Sequence, residues 1–127
     1  MPKVLIVDDD AESRELLSEV LTTNGYSVGA VENVNAARGL LNEDDGYKII
    51  IADLRMPDGS GLELLKELRR QKTKYEVILM SSFISGAERK LALDLGVNGL
   101  IDKPFQLSEL LDLVAGLAKE SSIGISS

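Results

Sequence analysis

At residues 47–53 the chain reads YKIIIAD, and this stretch decides the fold. Three isoleucines and an alanine in succession leave no polar face, so a strand over 47–52 must be covered on both sides. A run this short and this β-branched suits a parallel sheet with helices on each face. Asp53 stands directly at its end. The N-terminus repeats the arrangement: 4–7, VLIV, runs into Asp8, Asp9 and Asp10.

Working outward, the remaining segments alternate. Asp10 caps a first helix whose apolar face is Leu16, Leu17, Val20 and Leu21, and Asn24-Gly25 ends it. Residues 26–31 read as a second strand and 35–42 as a short helix with Ala37, Leu40 and Leu41 inward. LRMPDGSG is a loop punctuated by Pro57, Gly59 and Gly61. Ser60-x-x-Glu63 is a capping box opening a helix to about Lys72. Residues 76–80 form a fourth strand that runs into Ser81-Ser82, and Ser85-x-x-Glu88 opens a helix ending near Gly96. Residues 99–102 form a fifth strand, followed by Lys103-Pro104-Phe105 and a last helix from about Leu107 to Lys119. ESSIGISS, 120–127, reads as a flexible tail or truncated linker after a domain over 1–119. Five βα units with apolar strands predict an α/β fold: a doubly wound, five-stranded parallel sheet, flavodoxin-like, in the order 2-1-3-4-5.

Composition narrows the chemistry. The 127 residues suit one domain, and 44% hydrophobic with 28% charged is ordinary for a globular protein. There is no cysteine, hence no disulfide and no thiolate metal site, and no histidine, hence neither the commonest general base nor the commonest zinc ligand. A net charge of −7 argues against direct nucleic-acid binding. The apolar run at 4–7 is too short for a signal peptide or a membrane span, so a cytoplasmic location is the default expectation.

In such sheets ligands bind at the carboxyl ends of the strands, where strand order reverses. Those ends carry Asp8 and Asp9, Asp53, Ser81 and Lys103. Three carboxylates at one edge repel each other unless a cation joins them. An all-oxygen set with positions left for water suits Mg²⁺. Lys103 balances charge or binds an anion such as a phosphoryl group, and the Ser81 hydroxyl is placed to bond a phosphoryl oxygen. Pro104 permits a cis Lys103–Pro104 bond. Plainer readings stand beside these: a solvated acidic rim for Asp8 and Asp9, a helix cap for Asp10, a surface lysine, and a strand-end hydroxyl.

The pieces LIVDDD at 5–10, IIIADLRMPDGSGLELL at 49–65, VILMSS at 77–82 and GLIDKPF at 99–105 together resemble the receiver domain of two-component response regulators. The resemblance covers about residues 3 to 118, and 22 residues separate Ser81 from Lys103, as is usual in the family. It implies that Asp53 is the phosphoacceptor, an aspartate nucleophile forming an acyl phosphate. It implies that Asp9 and Asp53 ligate Mg²⁺ (or Mn²⁺) directly, that Asp8 acts mainly through water, and that the Arg55 backbone carbonyl is a further ligand. Lys103 would pair with Asp53 and then with the phosphoryl group, and Ser81 would move inward to bond it. The donor would be a phosphohistidine on a sensor histidine kinase or phosphotransfer protein. The fourth helix, fifth strand and fifth helix would form the output face, a surface for homodimers.

Two residues depart from the family pattern, one of them mildly: Ser81 stands in place of the commoner threonine. Leu100 stands where an aromatic is usual, so the family's ring flip has no counterpart at that position. Arg55 and Phe83 occupy tuning positions, and their bulk and Arg55's charge are expected to hinder the hydrolytic water. Three rival classes fit less well. A haloacid-dehalogenase-type phosphatase needs Gly-Thr after its D-x-D, and here Ala11-Glu12 follows Asp10. A flavin module would meet repelling carboxylates in its phosphate loop. A receiver-like interaction module that is never phosphorylated has no need of the intact set Asp8, Asp9, Asp53, Ser81 and Lys103.

Overall fold

The structure is a computed structural model that describes residues 2–71 and 74–126, with side chains described as far as Lys119 outside Lys72 and Thr73. Five strands, β1 (Lys3–Val7), β2 (Ser27–Val31), β3 (Tyr47–Asp53), β6 (Glu76–Ser81) and β7 (Gly99–Asp102), form one parallel sheet in the order β2-β1-β3-β6-β7. Counted by βα unit, this is the expected 2-1-3-4-5.

Alternation along each strand divides the core in two. Val4, Ile6, Ile49 and Ile51 face one way, beneath Leu17 and Leu21 of α1 (Ala11–Thr23) and Leu110 and Val114 of α5 (Leu107–Ser126). Leu5, Val7, Ile50 and Ala52 face the other, beneath α2 (Val34–Glu43), α3 (Gly61–Arg70) and α4 (Gly86–Asp94). Each buried isoleucine of β3 contributes about 1.5–3 kcal/mol, and from Ile49 to Ala52, past the exposed Lys48, the strand is wholly apolar until Asp53.

Local chemistry sets most element ends. The Asp10 side chain accepts from the Glu12 amide at 3.1 Å and starts α1, and Gly25, at φ 94°, follows its end. Ser85 and Glu88 form a complete capping box on α4. The Ser60 side chain accepts from the Glu63 amide and opens α3, which ends at Arg70; the expected end near Lys72 lies outside the described residues. The backbone of α5 continues past Lys119 into the stretch read as a tail, whose side chains, and Ser127 altogether, lie outside the described residues.

One segment differs from its reading. The stretch taken as loop contains a small antiparallel pair, β4 (Arg55–Met56) with β5 (Gly59–Ser60). Asp58, at its turn, accepts from the Val34 amide at 3.1 Å and the Asn35 amide at 3.0 Å. The turn is thereby fastened to the start of α2, which begins one residue earlier than the pattern predicts.

Candidate functional site

Sheet register builds the site. Val7 is level with Ala52, so the residues that follow, Asp8 and Asp53, reach the same edge side by side. Ser81 is level with Asp102, and the Lys103 amide donates to the Ser81 carbonyl at 2.8 Å. That bond sets Lys103 beside the end of β6. The Lys103–Pro104 peptide bond is cis.

Asp8, Asp9 and Asp53 each offer a carboxylate oxygen, and these oxygens lie within 4.8 Å of one another. Lys103 Nζ is 2.8 Å from Asp53 Oδ2 and 3.9 Å from Asp8 Oδ2. Asp8 is fully buried: its Oδ1 accepts from the Asp10 amide at 3.0 Å, and its Oδ2 has no hydrogen-bond partner. Burial pushes the Asp8 carboxyl above the ordinary carboxylate range, Asp53 and Asp9 add to this, and the Asp10 amide and Lys103 only partly oppose it. Burial pulls the Lys103 ammonium down, but its bond to Asp53 and the charges of Asp53 and Asp8 outweigh it, so its pKa is raised. A buried carboxylate oxygen without a donor, beside two more carboxylates, is a set that a hard cation and its waters would satisfy. The donor set fits a divalent ion with oxygen preference.

The other expected residues take different places. Ser81 is buried, but its hydroxyl donates to the Phe83 carbonyl and accepts from the Phe83 amide at 3.0 Å, turned to its own loop. Phe83 is 67% exposed. Leu100 is half-buried against the α2–α3–α4 core. The Arg55 amide approaches Asp53 Oδ1 at 3.4 Å, while its guanidinium pairs with Glu88 at 2.8 Å.

Sequence reasoning missed three contributors. Arg14 donates to the Asp8 carbonyl at 2.8 Å. Glu88 was legible as a cap but not as Arg55's partner. Gly61 packs against the end of β3: a Cβ there would lie 2.6 Å from the Asp53 carbonyl oxygen and 2.9 Å from Leu79. No spacing in the chain announces such a contact.

The family model of the response regulator receiver domain matches residues 4–115. The chain belongs to this family, the phosphorelay receivers of two-component systems. It is 35% identical over 122 residues to the transcriptional regulatory protein CpxR homolog of Haemophilus influenzae, covering 96% of this chain and 52% of that protein. CpxR of Escherichia coli is 35% identical over 121 residues, covering 95% and 51%. The chain thus spans about half the length of the curated relatives it matches. Among solved structures, the receiver domain of the Francisella response regulator 1452 superposes with a TM-score of 0.88 at 31% identity, covering 95% of this chain and 99% of that one. Response regulator TrrA of Thermotoga maritima, solved in complex with Mg(2+)-BeF, gives 0.80 at 31% identity, covering 92% and 99%. The family uses Mg²⁺ at its acidic pocket, and this chain carries an aspartate cluster there. Membership implies a histidine kinase or phosphotransfer partner. Among the described residues no helix is long and apolar enough to cross a membrane.

Proposed function

We propose that Asp53 receives the phosphoryl group, with Asp9 and Asp53 as direct Mg²⁺ ligands, Asp8 acting through water, and the Arg55 carbonyl completing the protein's share. The observation that carries this reading is the 2.8 Å contact of Lys103 Nζ with Asp53 Oδ2 inside the aspartate cluster. A bound Mg²⁺, or Mn²⁺ in its place, supplies positive charge to the phosphoryl oxygens during transfer. An Asp53 carboxylate oxygen attacks phosphorus, the P–N bond to the partner's histidine breaks, and its electron pair remains on the imidazole, which then takes up a proton. Lys103 leaves the Asp53 carboxylate and pairs with the new phosphoryl oxygens. The Ser81 hydroxyl leaves the Phe83 carbonyl and donates to one of them. These 127 residues contain no histidine, so the donor histidine lies outside them.

The output surface in this reading is α4, β7 and α5. Leu91 and Leu93 stand exposed on α4, 39% and 60%, which supports a partner or a second copy there. The receiver unit is taken to end near Lys119, with a cytoplasmic setting and no direct nucleic-acid contact by this unit.

Acetyl phosphate with Mg²⁺, followed by intact mass, tests the assignment. Wild type should gain about 80 Da, one phosphoryl group, and Asp53→Ala should gain nothing. An adduct that persists in Asp53→Ala overturns it.

A further inference from the structure

Helix α4 is held at its ends more than along its length. Of its nine residues only Ala92 is buried. At its C-terminal end Arg69 of α3 donates to the Leu95 carbonyl at 2.8 Å, the Gly96 carbonyl at 3.1 Å and Asn98 Oδ1 at 3.2 Å. The same guanidinium donates to the Tyr75 carbonyl at 2.8 Å, ahead of β6. At the N-terminal end Arg55 Nη2 lies 2.8 Å from Glu88 Oε1, and that oxygen also accepts the Ser85 amide at 3.0 Å. Between these ends Arg89 comes only within 3.9 Å of the exposed Asp102, so the two arginines reaching in from outside are the pins, and the N-terminal one originates two residues beyond Asp53.

Charge decides what happens to that pin. Three carboxylates against one ammonium leave two negative charges, which a divalent cation cancels. Converting Asp53 to its acyl phosphate removes one carboxylate charge and adds a phosphoryl group carrying about two. The phosphorylated site is left negative and with new acceptor oxygens, which a guanidinium binds in preference to a single exposed carboxylate. Arg14 also borders the cluster, but its partner is the Asp8 carbonyl. Arg55 is the one whose departure reaches beyond the site, because its partner belongs to α4.

We propose that phosphorylation draws Arg55 from Glu88 to the phosphoryl oxygens, releasing the N-terminal end of α4 while Arg69 keeps the C-terminal end in place, so that the helix pivots about Arg69. The inference rests on Asp53 being the phosphoacceptor. It supplies a link from site to output helix in a chain where Leu100 offers no ring to turn. Glu88 and Arg69 act in it as positioning residues.

Hydrogen exchange on the full chain, with acetyl phosphate and Mg²⁺ and with intact mass recorded on the same samples, tests the clasp. In phosphorylated wild type, amides over 86–91 should exchange about threefold faster, the scale of one exposed ion pair, with those over 95–98 unchanged. Arg55→Met should show the faster exchange before phosphorylation and little change after it. Glu88→Gln, which keeps an acceptor for the Ser85 amide but loses the charge that Arg55 pairs with, should likewise exchange faster before phosphorylation and change little after it. An Arg55→Met protein that carries the adduct and responds like wild type overturns the clasp. So does a wild-type adduct without any α4 response, and that result leaves Asp53 as acceptor. A wild type that takes no adduct overturns the phosphoacceptor reading, and the clasp with it.

Discussion

Asp8 is a residue whose placement opposes stability. Its buried Oδ2 has no donor, and its neighbours are carboxylates. Removing the charge should help the metal-free fold: Asp8→Asn is expected to gain about 1 kcal/mol in urea unfolding with chelator present. Excess Mg²⁺ should reverse that order, because a ligand at a hundred times its Kd adds about 2.7 kcal/mol to a protein that binds it. A variant less stable than wild type in both conditions would refute the account. Gly61 makes the opposite demand. Its missing Cβ lets α3 touch the back of Asp53, so Gly61→Ala should cost about 1–3 kcal/mol and slow adduct formation together. If Asp53 is the phosphoacceptor and Arg55 and Phe83 obstruct the hydrolytic water, acyl-phosphate decay should quicken in Arg55→Asn and in Phe83→Ala. Unchanged decay in both would mean that neither obstructs water.

Elements show what a sequence can and cannot disclose. The strands were legible because burial on both faces leaves a composition that little else explains, as in IIIA at 49–52. Asp10 and the Ser85–Glu88 box were legible because a cap is a local pattern. The β4–β5 pair was not, since strands of two residues carry no periodicity and are held by Asp58 against α2, across a 24-residue separation. At the site, the family pattern placed Asp8, Asp9, Asp53 and Lys103 together, whereas the Ser81 rotamer and Arg55's choice of Glu88 depend on three-dimensional neighbours. Arg69 is a further contact of that kind. It joins α3, the end of α4 and the segments leading into β6 and β7 through four charge-assisted bonds. Arg69→Ala should cost about 2–3 kcal/mol, read as a lower urea midpoint with the slope unchanged.

For the whole molecule, acid is the revealing variable. Two backbone amides, of Asn35 and Val34, hold the Asp58 carboxyl below its ordinary value of 3.8. Arg38 holds Glu67 low, and Lys3 holds Asp44 low. Groups depressed by folding stabilise the native state above their unfolded values and lose that contribution as pH falls through the folded ones. Stability should therefore drop below about pH 4. Asp58→Asn should be less stable than wild type near pH 7, with the gap closing near pH 3 as wild type protonates. A gap that stays constant across that range would show that the Asp58 charge is not the source. With a net charge of −7, protonating carboxylates also relieves general repulsion, so the comparison must be made between variant and wild type at each pH.

Strand order also has a consequence for how the protein comes into being. Asp8 and Asp53 stand at the ends of inner strands, but the ammonium that tempers them stands just past β7, one of the two edge strands and the last of the sheet to be synthesised. A nascent chain halted before β7 would hold three carboxylates in register with nothing to offset them. On the reading of Asp53 as phosphoacceptor, a complete constellation of carboxylates and ammonium would arrive only with the last strand of the sheet.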